Sequence, residues 1–460
     1  MSNIPPVAQG NDAPSQVPRL TKRSRLFRAA WLAVVSSLFS VACAPAPSDV
    51  RLRVYSWWGR DEAAPFDALK NRFHASHPAI SVENPADPDA ENQRDRVAAE
   101  LLAGGSPDTF QANLGADLLQ WAEVVSNGQA INKLEPLGDL FNGTGMAVHV
   151  HEDIQRGVTA GTPGELYAVP LNIHRLNVVY YDRVRFEQEL GRSDFFTIQE
   201  LCPENLGSAE VVPNGIAIGR KDDFSLFLFV FENVLPALTN AKFYNALLRG
   251  EEPEPIGPSG DYVDDLIRVF TCVQQLSKWF SPESQDYSWA DAIGAVKKKK
   301  ALITVTGDWG NLQFKSELES GRIAVVPFPG SEGTFVYTSD TFPLPADAPH
   351  AKETRTFLEY MASADTQKRF SDDKGSIPAR DDAEIGESLH ELRTQTRNDF
   401  QRLEHALATS GLHPPYYPRM ELIIKLRQLV SGQATVNDVL NEFMADQPLL
   451  QRWQQQLRGE

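Results

Sequence analysis

Two adjacent indoles, Trp57 and Trp58, are followed four residues after the second by the carboxylate of Glu62. A flat apolar ring beside a fixed acceptor suits a ligand with a C–H face and a fringe of hydroxyls, which is how a sugar ring presents itself. The competing role for either indole is core packing. Asp308 and Trp309 follow Gly307 and repeat the pairing, while Gln111 and Asn113 add amides. Each of these residues alone is more often a cap or a surface group than a ligand. Their common feature is position, because each follows or ends a stretch that reads as a strand, and open α/β sheets bind ligands at the carboxyl ends of their strands.

Signatures of catalysis are missing from the sequence. G-x-S-x-G, the phosphate loop, H-E-x-x-H and C-x-x-C do not occur. His149, His151, Glu152 and Asp153 are of metal-ligating types, but their Gly-rich flanks read as a solvated loop, so neither a metal nor a cofactor is expected. Lys297 to Lys300 read as cations at a helix C-terminus.

The elements that must position these residues alternate in type. Residues 50–57 (VRLRVYSW) alternate apolar and polar and predict a strand. Asp61 then caps a helix with Phe66, Leu69, Lys70 and Phe73 on one face, ending before Pro78. Strands at 80–82 and 109–111 flank a helix over 95–103 and the turn Gly104-Gly105-Ser106-Pro107. Further strands are predicted at 167–169, 176–181, 301–305, 323–326 and 335–337. Helices are predicted over 223–248 and 261–280, separated by the Pro- and Glu-rich loop 250–260, and a last helix is capped by Thr435. This order implies open sheets covered by helices.

The N-terminal region points to a compartment. A polar leader is followed by Lys22, Arg23, Arg25 and Arg28 and then by the apolar run 29–42, too short to span a membrane and typical of an export signal. Residues 39–43 (FSVAC) resemble a bacterial lipobox, which would make Cys43 a lipidated first residue; Ala42 and Ala44 equally fit an ordinary small-x-small cleavage site. The expected location is the periplasm, free or lipid-anchored. Cys202 and Cys272 are the other two cysteines, and in an oxidising compartment they could pair.

The chain has 460 residues and a formal net charge of −17, which argues against nucleic acid as a partner. Its length allows two or three domains.

Six segments in order resemble the extracellular solute-binding proteins of family 1, the sugar-capturing subunits of ABC importers, and most of all their glucose- or mannose-binding subgroup. They are 54–58 (VYSWW), 105–111 (GSPDTFQ), 167–177 (YAVPLNIHRLN), 306–309 (TGDW), 339–342 (SDTF) and 374–380 (KGSIPAR). The resemblance implies a two-lobe periplasmic-binding-protein-like α/β fold with hinge crossings near 170–172, 334 and 374. It sets the lobes at 49–170 with 334–372 and at 171–333 with 373–460, after a leader of residues 1–43.

By motif position the resemblance makes Trp57 and Trp58 ring-stacking groups. It makes Glu62, Gln111, Asn113 and Asp308 hydroxyl acceptors or donors, with Lys374 and His174 donating from the crossings. A second-lobe aromatic is expected from Trp289 or Trp279. The implied protein is a non-catalytic monomer that hands a mono- or small oligosaccharide, a hexose in the first instance, to a membrane permease. The alternatives are an exported carbohydrate enzyme using Glu62 and Asp308, and the same fold feeding a sensor.

Overall fold

A computed structural model describes residues 50–457 apart from 60–61, 86–90, 122, 127–128, 160–164, 204–211, 213, 222, 258–259 and 413–418. The export leader, Cys43 and the Asp61 cap lie outside the described residues. Among the described residues no helix is long and apolar enough to cross a membrane.

The alternating pattern at 50–57 folds as the strand Val50–Tyr55. It pairs in parallel with Ile80–Glu83 on one side and Thr109–Phe110 on the other. Parallel strands need covering helices. The helix Ala63–Ser76 supplies one, burying Phe66, Leu69 and Phe73. Each such side chain contributes about 1.5–3 kcal/mol by leaving water. Glu62 is the N-cap residue of that helix, yet its side chain makes no capping bond. The carboxylate is therefore available elsewhere.

A second sheet orders Ile216–Ala217, Ile303–Val305, Val178–Asp182 and Ile323–Pro327, with Val178–Asp182 antiparallel to both neighbours. Its covering helices differ from expectation at one place. The predicted helix over 223–248 is divided: Leu228–Val234 widens into a π-helical segment, the first helix ends at Leu238, and Asn240 caps a separate helix, Ala241–Leu248. The buried polar pair inside the segment coincides with the widening. Glu232 accepts from the backbone N–H of Thr409 at 3.0 Å, and Asn233 donates to the carbonyl of Leu228 at 3.0 Å.

Two small sheets join these halves. Asp340–Pro343 pairs with Ala112–Asn113 and with Ala168–Pro170. Asn172–Arg175 pairs with Thr334–Thr338 and Ile377–Pro378, and Glu404–Leu407 extends that sheet. The chain thus passes between the halves near 171–176, 334–340 and 400–406, in a two-lobe α/β fold. Two large apolar cores accompany it, one built on Leu52, Phe66, Phe110 and Phe342, the other on Val179, Phe229, Phe270 and Phe443.

The expected boundary at 373 does not match this packing. Ile377, Ala379 and Phe400 sit in the first core, and side chains join the second from Ala406 onward. Within the second core, Cys202 and Cys272 are bonded to each other, with Cα atoms 5.1 Å apart.

Candidate functional site

The small joining sheets bring three of the polar residues singled out in the sequence, Gln111, His174 and Asp308, into one hydrogen-bonded chain. Ser56 Oγ donates to Gln111 Oε1 at 2.6 Å, and Gln111 Nε2 donates to Asp340 Oδ1 at 2.6 Å. The other oxygen of Asp340 stands 3.1 Å from His174 Nε2, and His174 Nδ1 bonds the carboxylate of Asp308. The second oxygen of Asp308 accepts from the backbone N–H of Arg175 at 2.9 Å. The chain therefore runs from a strand end of the first lobe, through the joining strands, to a strand end of the second.

His174 faces carboxylates with both ring nitrogens, and carboxylates only accept. Complete burial opposes a charge on the ring, but Asp308 and Asp340 outweigh it and lift its pKa to about 9. Burial likewise opposes ionisation of Asp340, and the bond from His174 overcomes it, so that its carboxyl lies below the usual range. The centre is a cation clamped between two anions.

A second arm closes toward the first. Lys374 Nζ lies 2.5 Å from Glu62 Oε1 and 5.4 Å from the centre of the Trp58 ring. Lys374 ends the helix Ala364–Lys374, and Gly375 follows at φ 81°, a left-handed turn that favours glycine. A Cβ at Gly375 would also stand 2.9 Å from Asn311 Cβ. Asn311, three residues after Asp308, donates through Nδ2 to the carbonyl of Gly375 at 2.9 Å. The Lys374 turn and the Asp308 turn are locked together. Trp58 completes the ring, since its backbone N–H donates to Ser56 Oγ at 3.1 Å.

Other expected residues fall in different places. Trp58 is 2% exposed and packs against Phe66, Phe342 and Phe370, so it is a floor beneath Lys374 and offers no open stacking face. Trp57 is half-buried against the same core. Asn113 is half-buried at the edge of a joining sheet, with its Oδ1 3.5 Å from Thr338 Oγ1.

The second-lobe aromatic beside the chain is Trp309. Its ring meets His174 edge-on at 5.8 Å, with Phe224, 44% exposed, 5.7 Å beyond. Trp279 is buried against Phe196, and Trp289 packs half-buried on the cluster containing Tyr180. From sequence, Trp309 is named beside Asp308 while the second-lobe aromatic is expected from Trp289 or Trp279, and Phe224 and the central Asp340 are missed. An aspartate inside an otherwise apolar or hydroxylic strand (SDTFP) is the signal that could have found Asp340.

The arrangement can donate and accept several hydrogen bonds at once. Each ionised carboxylate has about four lone-pair sites, and the two carboxylates at the His174 centre use only some of theirs on the protein. Glu62 is held by Lys374 and Asp308 by His174, which suits acceptance from hydroxyls.

Residues 68–392 match the family described as bacterial extracellular solute-binding protein. The chain belongs to that family. A relative from Pyrococcus horikoshii, described as an uncharacterized ABC transporter extracellular-binding protein, is 28% identical over 396 residues, covering 84% of each chain. The xylose/arabinose-binding protein XacG of Haloferax volcanii is 21% identical over 379 residues, which is 80% of this chain and 76% of that protein. A solved chitin oligosaccharide binding protein superposes with TM-score 0.69 at 19% identity, over 88% of this chain and 99% of its own. That likeness shows the fold. Membership in this extracellular binding family makes the chain an extracytoplasmic binding protein and not an enzyme.

Proposed function

We propose that this solute-binding protein takes a mono- or small oligosaccharide, a hexose in the first instance, between its two lobes and delivers it to the permease of an ABC importer. The observation that carries the reading is the closed set of polar groups from Glu62 and Lys374 round to Asp308, His174, Asp340 and Gln111. It combines anionic acceptors, a cationic donor and an amide, which is the mixture that hydroxyl groups need when water is removed.

In this reading the lobes are 49–170 with about 334–400, and 171–333 with the remainder. The crossings near 171–176, 334–340 and 400–406 act as the hinge. Asp308 and Trp309 meet the sugar from one lobe, Glu62, Gln111, Trp57 and Lys374 from the other, and His174 from a crossing, with Asn113 at the rim. Closure follows because bonds from both lobes can form only in the closed state. The N-terminal leader directs export, with Cys43 as the lipid anchor.

A thermal-shift screen of pentoses, hexoses and disaccharides tests this. The ligand should raise Tm saturably, with about 2.7 kcal/mol of stabilisation at a hundredfold excess over Kd. A flat response to every sugar would remove the reading.

A further inference from the structure

His151, Glu152 and Asp153, expected in a loop, instead open a helix. His151 is the N-cap of Glu152–Gly157, and its Nδ1 accepts from the Asp153 backbone N–H at 3.2 Å. That bond uses the Nδ1 lone pair, so Nδ1 is unprotonated and a metal ion bound there would take the place of the Asp153 N–H. The side chain of Asp153 turns toward the strand Glu404–Leu407, where Asp153 Oδ2 lies 2.5 Å from His405 Nδ1 and 3.6 Å from His151 Nδ1.

His405 is aimed from behind. Its ring stacks on Phe400 at 4.3 Å and 17°, and its Nε2 stands 2.5 Å from the Phe400 carbonyl oxygen. A carbonyl accepts only, so Nε2 carries the proton. The lone pair of a neutral His405 then lies on Nδ1 and faces an anionic oxygen. Two acceptors at that distance need a cation between them, which is either the second proton that makes His405 an imidazolium, as at His174, or a metal ion. Fixing the second ring nitrogen on a backbone carbonyl is the usual support for a metal-bound histidine.

We propose that His151, Asp153 and His405 form a site for a borderline divalent cation of the zinc class. One ligand atom from each lies within 4.8 Å of the others. Tetrahedral zinc at about 2.0–2.1 Å from its ligands sets them about 3.4 Å apart. His151 Nδ1 already stands near that spacing from Asp153 Oδ2 and would exchange its bond to the Asp153 N–H for the ion, while His405 would draw back from Asp153 by about 1 Å. Imidazole with carboxylate selects this class of ion over calcium or magnesium, which prefer all-oxygen shells. Arg156, which now bonds the other oxygen of Asp153, is largely exposed and can swing away. The ion would tie the helix at 152–157 to an edge strand whose His405 carbonyl accepts from Asn245 of the second lobe at 2.9 Å. The site is separate from the polar ring around His174.

The test uses tag-free protein stripped with chelator, loaded with zinc chloride and gel-filtered. Retained zinc is measured by atomic emission, and affinity by competition with a chromophoric chelator. About one equivalent should be retained, and His151→Gln and His405→Gln should each weaken affinity at least about tenfold. His149→Gln with Asp381→Asn, at the other His-carboxylate cluster, should leave it unchanged. His151 lies at the surface, so its variant decides the matter if His405→Gln does not fold. No retained zinc, or undiminished retention in His151→Gln, overturns the proposal.

Discussion

His174 Nε2 lies 3.1 Å from Asp340 Oδ2 in a fully buried pair that joins Gln111 on one side to Asp308 on the other. The contact matters because it couples groups from both lobes through one ionised centre. Every polar side chain in that line is part of the fold.

The first expectation concerns pH. The pKa of His174 is raised from 6.5 to about 9 by its carboxylates against the cost of burial. Its contribution is therefore fully present below pH 6.5 and is lost as pH rises through about 9, amounting to at most about 3 kcal/mol. Asp340 is shifted downward, so its contribution is present above about pH 3.8 and is lost as pH falls. Urea unfolding of the wild type should show stability declining between pH 6.5 and 9, and His174→Gln should flatten that slope. An unchanged slope in the variant would show that another group sets it.

The Lys374–Glu62 pair should behave as a partly buried ion pair. Lys374→Met leaves Glu62 without its cation and should cost about 3 kcal/mol of stability, whereas Lys374→Met with Glu62→Leu should recover much of it. Sugar affinity should stay low in both. Chemical denaturation of the four members of this cycle measures the coupling, and a double variant as unstable as Lys374→Met would count against it.

Phe224 and Trp309 present the aromatic surface nearest the His174 centre. Phe224 is substantially exposed, so Phe224→Ala should leave Tm within a few degrees of wild type while lowering sugar affinity by about 0.5–1.5 kcal/mol. Equal affinity in calorimetry would place the stacking face elsewhere, with Trp57 the next candidate.

The Cys202–Cys272 bond closes a span of 70 residues within the second core. Replacing both cysteines by serine should cost about 2–5 kcal/mol of stability without altering sugar affinity. Free thiols titrated in unfolded, unreduced protein taken from an oxidising compartment would contradict the pairing.

Much of the fold is legible because its strands and helices carry plain periodicities, as at 50–57 and at Phe66, Leu69 and Phe73. Gln111 and Asp308 stand out for the same reason, since a polar group just past an apolar strand has little packing role there. Trp58 is misjudged because period-2 alternation at a strand end does not show what covers the next residue; three phenylalanines from distant elements do. Asp340 and Phe224 meet the other residues of the chain only by contact between distant segments, a relationship that no local spacing encodes. The π-helical segment is similar, for its buried Glu232 finds partners 12 and 177 residues away.

The most direct test is titration calorimetry of the stabilising sugar against wild type and Asp308→Ala, with native near-UV circular dichroism required of both. One saturable site in the wild type and an affinity loss of about 1–3 kcal/mol in the variant is the expected result. No sugar heat in the wild type, or undiminished affinity in a folded Asp308→Ala, would contradict sugar binding at this site.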